Sequence, residues 1–349
     1  MYSPKFSITN KILKNIGIIE AAREVIINAP LVPAYEKKFR EEAIVRTVHH
    51  GTHIEGNELN YTEASAVLKG QSIVGRDRDI QEVINYRNVI NFLDYVATGE
   101  VSKGKITESV LKKIHALTVE KLLTPEQCGQ YRKTQVVVKN SLTGEVTFRP
   151  PPAIEVPYQI TDFLDYLNSL KKDDIHPVLK AGIVHYELVR IHPFLDGNGR
   201  MARATATLVL FLENYDIKKF FSLEEYYDRD ATGYYEALKS ASIGDVTRWL
   251  EYFTQGLSIE LTRIKEKVQK LSTDMHLKEK LGGKQVFLSE RQIAIMEYIQ
   301  RVGYLSNEGF IDLFPKISED TVLRDLHDLM KKGIIKKEGR TKAARYILR

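Results

Sequence analysis

Apolar positions three and four residues apart run through most of the first hundred residues. IIEAAREVI, EKKFREEAIVRTV, TEASAVLKG and DIQEVINYRNVINFLDYV share this spacing, which predicts helices with one apolar face. Thr62 and the glutamate after it suit a helix start. ITESVLKKIHALTVEKLL, residues 106–123, repeats the pattern behind Thr107, a candidate N-cap. The period then changes. Gln135 to Lys139 is short and β-branched, Asn140 to Gly144 carries turn chemistry, and Glu145 to Phe148 alternates. That predicts a hairpin, ended by three prolines that cannot continue a ladder.

Helical spacing resumes near Val156 and again over HPVLKAGIVHYELVR, residues 176–190. ATATLVLFLENY is apolar almost all round, the pattern of a helix buried on every side. A further helix is predicted over 233–256, followed by RIKEKVQKLSTDMHLKEKLGGK, an exposed charged helix running into a Gly-Gly linker. Residues 286–349 read as a separate unit: ERQIAIMEYIQ, NEGFIDLF and SEDTVLRDLHDLMKKG as three short helices, then two strands around a turn. That order predicts a winged helix-turn-helix.

Composition narrows the class. A chain of 349 residues with 43% hydrophobic and 28% charged residues is expected to be soluble and to form two or three domains. No apolar run approaches the roughly 18 residues that a bilayer span needs, and the N-terminus lacks the apolar core of a secretory signal. A single cysteine, Cys128, excludes an internal disulfide. Together these point to the cytoplasm and to no membrane partner. The net charge is +5, and residues 284–349 hold 13 Lys or Arg against 9 Asp or Glu, a net of +4. In the last nineteen residues the count is 8 against 1, which suits either an acidic or nucleic-acid partner or a solvated tail.

The densest chemistry lies in RIHPFLDGNGRMAR, residues 190–203. Pro193 ends the preceding helix, and Gly197 and Gly199 permit a tight loop with no Cβ between backbone and ligand. A new helix starting near Arg200 would point its free N–H groups into that loop, an anion site. Arg200 and Arg203 share one face of its first turn, where two cations oppose the helix dipole unless a polyphosphate is bound. Asp196 offers the hard oxygen that Mg²⁺ prefers, and Asn198 can donate to a phosphate oxygen. His192 is left to take a proton from an attacking hydroxyl. The ending of a Walker A loop is missing, and a helix rather than a strand precedes the glycines, so neither that loop nor a Rossmann turn fits. His185 and His192 lie about 10.5 Å apart along a helix axis, too far to share a metal ion. His49 and His53 are four apart and could grip a metal, but the sequence supplies no third ligand. Tyr234 and Tyr235 read on their own as core packing.

HPFLDGNGRMAR resembles the Fic family signature HPFxxGNGRxxR at every fixed position. The resemblance extends through HPVLKAGIVHYELVR, YRKTQVVVK and YYEALKSASIGDVTRWLEYF, roughly residues 40–256. It implies a mainly α fold: a Fic-type helical core with a β-hairpin flap, plus the small winged helix-turn-helix. The implied segments are an N-terminal helical region over 1–100, the core over 101–262, a charged helical linker over 263–284 and the winged unit over 285–349. The implied activity is transfer of AMP from ATP to a Ser, Thr or Tyr hydroxyl of a target protein. His192 would be the general base and Asp196 the Mg²⁺ ligand. Gly197, Asn198, Gly199, Arg200 and Arg203 would cradle the phosphates. Residues 132–148 would dock the target by strand addition, with Val136, Val137 and Val138 flanking the nucleotide and Tyr234 and Tyr235 near the adenine. Ser242 stands where some members carry an asparagine.

The family also carries an inhibitory helix of pattern Ser/Thr-xxx-Glu-Gly/Asn. GTHIEGN, residues 51–57, matches its second half at Glu55-Gly56 but has Gly51 at the first position. On residue chemistry alone this is a helix end, with Gly56 suited to C′ and Asn57 tolerant of a left-handed backbone. The resemblance implies that Glu55 pairs with Arg203 and withholds it from the γ-phosphate, an autoinhibited enzyme. In the C-terminal unit, Ser318 is a candidate cap for a third helix bearing Glu319, Asp320, Asp325 and Asp328. Those acids favour contact with a protein, a target or a second copy of the chain, over contact with DNA. Many relatives dimerise, so a homodimer is compatible. Two rivals to AMP transfer remain. One is a DNA-binding regulator that senses nucleotide. The other is a Fic enzyme that moves a different group or removes AMP.

Overall fold

The computed structural model describes residues 2–29, 31, 33–100, 104–139, 146–171, 174–241, 244–279, 288–306, 309–310, 313–315, 317–339 and 344–348. The chain folds into two compact units, Met1–Ala29 with Tyr35–Val268, and Pro30–Ala34 with Gln269–Arg349. Both are built mainly from helices.

The first unit begins with α1 (Asn10–Asn28), α2 (Pro33–His53), α3 (Tyr61–Leu68), α4 (Asp77–Ala97) and α5 (Glu108–Thr118). Thr107 caps α5 by accepting from the Val110 N–H, as its position suggests. α3 starts one residue before Thr62, with Asn60 as its N-cap. Asn60 accepts from the Thr62 and Glu63 N–H groups, and Glu63 reaches back to the Asn60 N–H in a capping box. At the end of α2, Gly56 takes the left-handed conformation (φ 93°). Asn57 does not, and its buried side chain instead donates to the Asp79 carbonyl and to Glu82.

The hairpin is shorter than the sequence pattern suggests. β1 (Val138–Lys139) pairs antiparallel with β2 (Val146–Phe148), and the predicted turn lies outside the described residues. Gln135 to Val137 would face Pro150 and Pro151, which have no N–H to offer a ladder. Side chains bridge the gap: Gln135 donates to the Pro150 carbonyl and Arg132 to that of Pro151.

α6 (Val156–Ser169) leads to α7 (Pro177–Ile191) and α8 (Asn198–Leu212), which pack along each other. α8 is buried on nearly all sides, with Met201, Ala204, Leu208 and Leu210 inaccessible, as its apolar pattern predicts. α9 (Leu223–Arg229), α10 (Ala231–Ser240) and α11 (Thr247–Glu279) follow. The single helix predicted over 233–256 is therefore two. Gly244 (φ 92°) turns the chain between them, and Asp245 accepts from the Thr247 N–H to start α11. Ser242 and the Gly-Gly linker lie outside the described residues.

The second unit holds α12 (Glu290–Val302), β3 (Leu305–Ser306), α13 (Glu319–Lys331), β4 (Ile335–Glu338) and β5 (Arg345–Leu348). Its strands form an antiparallel sheet in the order β3-β5-β4, over a core of Ile295, Ile299, Leu305, Leu326, Leu329 and Tyr346. This is a helix-turn-helix with a wing. The middle helix and the wing turn lie largely outside the described residues. Ser318 precedes α13, but its hydroxyl meets Thr321 Oγ1 at 2.9 Å and makes no capping bond. Of the acids on α13, Asp325 pairs with Arg291 at 2.6 Å and Asp328 with Lys332 and Gln292. Among the described residues no helix is long and apolar enough to cross a membrane.

Candidate active site

The loop between α7 and α8 is held from four sides. His192 closes α7 in a left-handed conformation (φ 50°, ψ 60°), its N–H bonded to the Leu188 carbonyl. Asn198 folds back on Phe194, accepting from its N–H at 2.9 Å and donating to its carbonyl at 3.0 Å. The Asn198 side chain thus braces the loop through its oxygen and one of its two N–H donors. Gly197 (φ 73°) has no room for a side chain, because a Cβ would come within 2.9 Å of Val119 Cγ1. α8 begins at Asn198, two residues before Arg200, with Gly197 as a cap that offers no side chain. Its first N–H groups therefore remain for an anion.

Two bracing residues carried no signal in the sequence pattern. His115 stacks on Phe194 with ring centroids 3.7 Å apart and an interplanar angle of 3°. Its Nδ1 accepts from the Gly129 N–H at 2.9 Å, so Nε2 carries the proton and donates to the Asp196 carbonyl at 3.0 Å. Burial pushes the His115 imidazole down to about 4. Arg132 is buried and donates through Nε to the His192 carbonyl (2.8 Å) and through Nη2 to that of Pro151 (2.5 Å). It ties the last turn of α7 to both roots of the hairpin. A cation among helix C-terminal carbonyls also meets the negative end of the dipole.

His192 Nδ1 is buried, and burial holds the imidazole below its ordinary range despite the opposing field of Glu55. It is neutral at pH 7. Asp196 accepts from the Gly197 N–H through Oδ1 and from Arg78 through Oδ2 at 3.4 Å, with its carboxylate half exposed.

Each arginine of the motif meets its own carboxylate. Arg203 Nη2 donates to Glu55 Oε1 at 2.7 Å and to the Gly51 carbonyl at 2.9 Å. Burial alone would raise the Glu55 carboxyl, but Arg203 and then Arg200 outweigh it and hold the group ionised below the usual range. The Glu55 carboxylate rests against Gly199, where a Cβ would overlap Oε1. Arg200 Nη1 lies 3.2 Å from Glu82 Oε1. The Nε and Nη1 groups of Arg200 and the Nε of Arg203 are buried without a hydrogen-bond partner among the described residues.

Of the remaining candidates, Tyr234 is buried and its hydroxyl meets His185 Nε2 at 3.1 Å, amid Tyr227 and Trp249. Tyr235 is half exposed. Val136 and Val137 lie on the segment entering β1, and Val138 is its first residue. The histidines before Glu55 form an anchor: His50 and His53 each place Nδ1 within 2.8 Å of Asp228 on α9. Among the described residues no three His, Cys, Asp or Glu side chains gather as a metal ion would require, so His49 and His53 find no further ligand.

A glycine loop opening a helix, two arginines, an acid and a neutral histidine thus lie together, groups whose chemistry suits an anion. The Fic/DOC family model matches residues 105–210, and a DeoR-like helix-turn-helix model matches 291–342. Residues 105–210 therefore carry a Fic/DOC domain. It is 28% identical to the protein adenylyltransferase Fic of Nematostella vectensis over 240 residues, 67% of this chain and 52% of that one. Its identity to the protein of the same name from Drosophila grimshawi is 28% over 222 residues, 62% and 42% of the two chains. The chain thus spans about half the length, or less, of these curated relatives. A Fic family protein from Desulfovibrio desulfuricans G20 has a similar structure, with a TM-score of 0.67 at 26% identity over 100% of this chain and 98% of that one. Fic-1 from C. elegans is similar over 74% of each chain, with a TM-score of 0.61 at 25% identity.

Proposed function

We propose that this protein transfers AMP from ATP to a Ser, Thr or Tyr hydroxyl of a target protein, and that Glu55 restrains the transfer. The observation that carries the reading is the seat of the Glu55 carboxylate. It lies against Gly199 and 2.7 Å from Arg203, an anion on the cradle whose N–H groups and arginines suit phosphate. The names of the relatives, protein adenylyltransferase, support the class of chemistry.

The residues fit ATP. Arg200 and Arg203 hold buried donors without partners, and the start of α8 offers backbone N–H groups. Asp196, with a half-exposed carboxylate beside the loop, suits Mg²⁺ shared with phosphates rather than caged by protein. The ion would neutralise phosphate charge. Neutral His192 takes the proton of the acceptor hydroxyl, whose oxygen bonds to the α-phosphorus as the bond to pyrophosphate breaks. The proton ends on the imidazole. Among the described residues β1 and β2 form a two-stranded sheet, at whose edge a target segment would pair. Glu55, while paired with Arg203, repels the γ-phosphate and denies it that arginine.

Glu55→Gly should raise self-labelling by ATP carrying its label on the α-phosphate about tenfold or more, the scale of one restored charge-assisted contact. Labelling equal to the parent's would remove the inhibitory role.

A further inference from the structure

The two motif arginines are paired to carboxylates of different mechanical standing. Glu55 sits in the turn after α2, and its side chain is 28% exposed. Glu82 lies in the second turn of the 21-residue helix α4, and its side chain is 5% exposed. Glu82 accepts from two donors, Oε1 from Arg78 Nε at 3.2 Å and Oε2 from Asn57 Nδ2 at 3.0 Å, and forms an ion pair with Arg200, its Oε1 lying 3.2 Å from Nη1. Arg78 in turn reaches Asp196. The first two turns of α4 also grip the turn that carries Glu55. Arg76 donates to the Gly56 carbonyl, and Asp79 accepts from the Glu58 N–H. One helix end therefore holds both the phosphate loop and the inhibitory turn.

We infer that Glu82 is a positioning residue: it is the permanent counter-charge that sets Arg200 for the phosphates, whereas Glu55 is the displaceable counter-charge of Arg203. The inference rests on the proposed nucleotide site. The other carboxylate near Arg200, Asp196, is half exposed and lies 4.0 Å from Nη2, and a buried guanidinium short of a partner is costly, so Arg200 would be held less firmly if Glu82 left. Glu82 cannot swing away as Glu55 can, because a rigid helix and the Asn57 and Arg78 bonds fix it. ATP therefore replaces Glu55 and adds to Glu82. Arg200 keeps its unpartnered Nε for the ligand.

This predicts opposite signs for two removals of negative charge from one site. Were both acids mere electrostatic rivals of the phosphates, removing either would tighten binding. Calorimetric titration of the full chain with ATP and Mg²⁺ separates the cases. Glu55→Gly should bind about tenfold tighter than the parent. Glu82→Gln, which keeps an oxygen for Asn57 and loses the charge at Arg200, should bind about tenfold weaker in the Glu55→Gly background. In that background KM for ATP should rise while the kcat of self-labelling changes less than twofold. Glu82→Asp should restore part of the affinity. Thermal melts report on folding separately: a melt unchanged with the weaker affinity supports positioning. Equal or tighter ATP binding by Glu82→Gln overturns the inference. So does a loss of affinity that tracks loss of folded protein and is not recovered in Glu82→Asp. If Glu55→Gly binds no ATP at all, the nucleotide reading itself falls instead.

Discussion

His192 owes its chemistry to its surroundings more than to its identity. Burial disfavours the imidazolium and leaves the ring neutral, with its pKa below the usual 6.5. A lowered pKa means the unprotonated form persists to lower pH than in a free imidazole. It is lost only as pH falls through the lower value. For the Glu55→Gly form, kcat/KM plotted against pH should have its acid-side inflection below 6.5. An inflection above 6.5 would show that another group carries the proton. Asn198 teaches the opposite lesson. Its side chain looks like a phosphate donor in the motif, yet its oxygen and one N–H already brace the loop through Phe194.

At the scale of the element, the tightness of α2 against α4 explains the departure at Gly51. A Cβ there would overlap Tyr86 Cε1 and lie 3.1 Å from Cδ1 and 3.2 Å from Glu224 Cγ, and Tyr86 is fully buried with nowhere to go. Gly51→Ala should therefore lower stability by about 1–3 kcal/mol, the cost of overpacking, read as a fall in the thermal midpoint of several degrees. An unchanged midpoint would mean that α2 shifts freely. The loop and its flanking helices were legible because proline, two glycines and the charged groups fall within fourteen residues. Their supports were not. His115 and Arg132 meet the loop from 81 and 60 residues away, and nothing local marks either. Glu82 sits in an ordinary amphipathic repeat, and its meaning appears only once Arg200 lies beside it. Strand length failed for a related reason, since Pro150 and Pro151 act on a partner segment and not on their own.

At the scale of the whole molecule, a Fic/DOC domain and a helix-turn-helix unit share one chain that spans about half of its curated relatives. The nucleotide reading depends on the first unit alone. Contacts tie its N-terminal helices to the motif: Gly51 of α2, Glu55 of the turn between α2 and α3, and Glu82 of α4 meet Arg203 or Arg200 of α8. The central claim is that His192 moves AMP, and that Glu55 holds it back. Its most direct test is the intact mass of the full-length Glu55→Gly protein after incubation with ATP and Mg²⁺, with Glu55→Gly/His192→Ala alongside. The account predicts an added mass equal to AMP on the first and none on the second, since loss of the base costs roughly 10²–10⁴-fold. An added phosphate, no addition to either protein, or equal addition to both would contradict it.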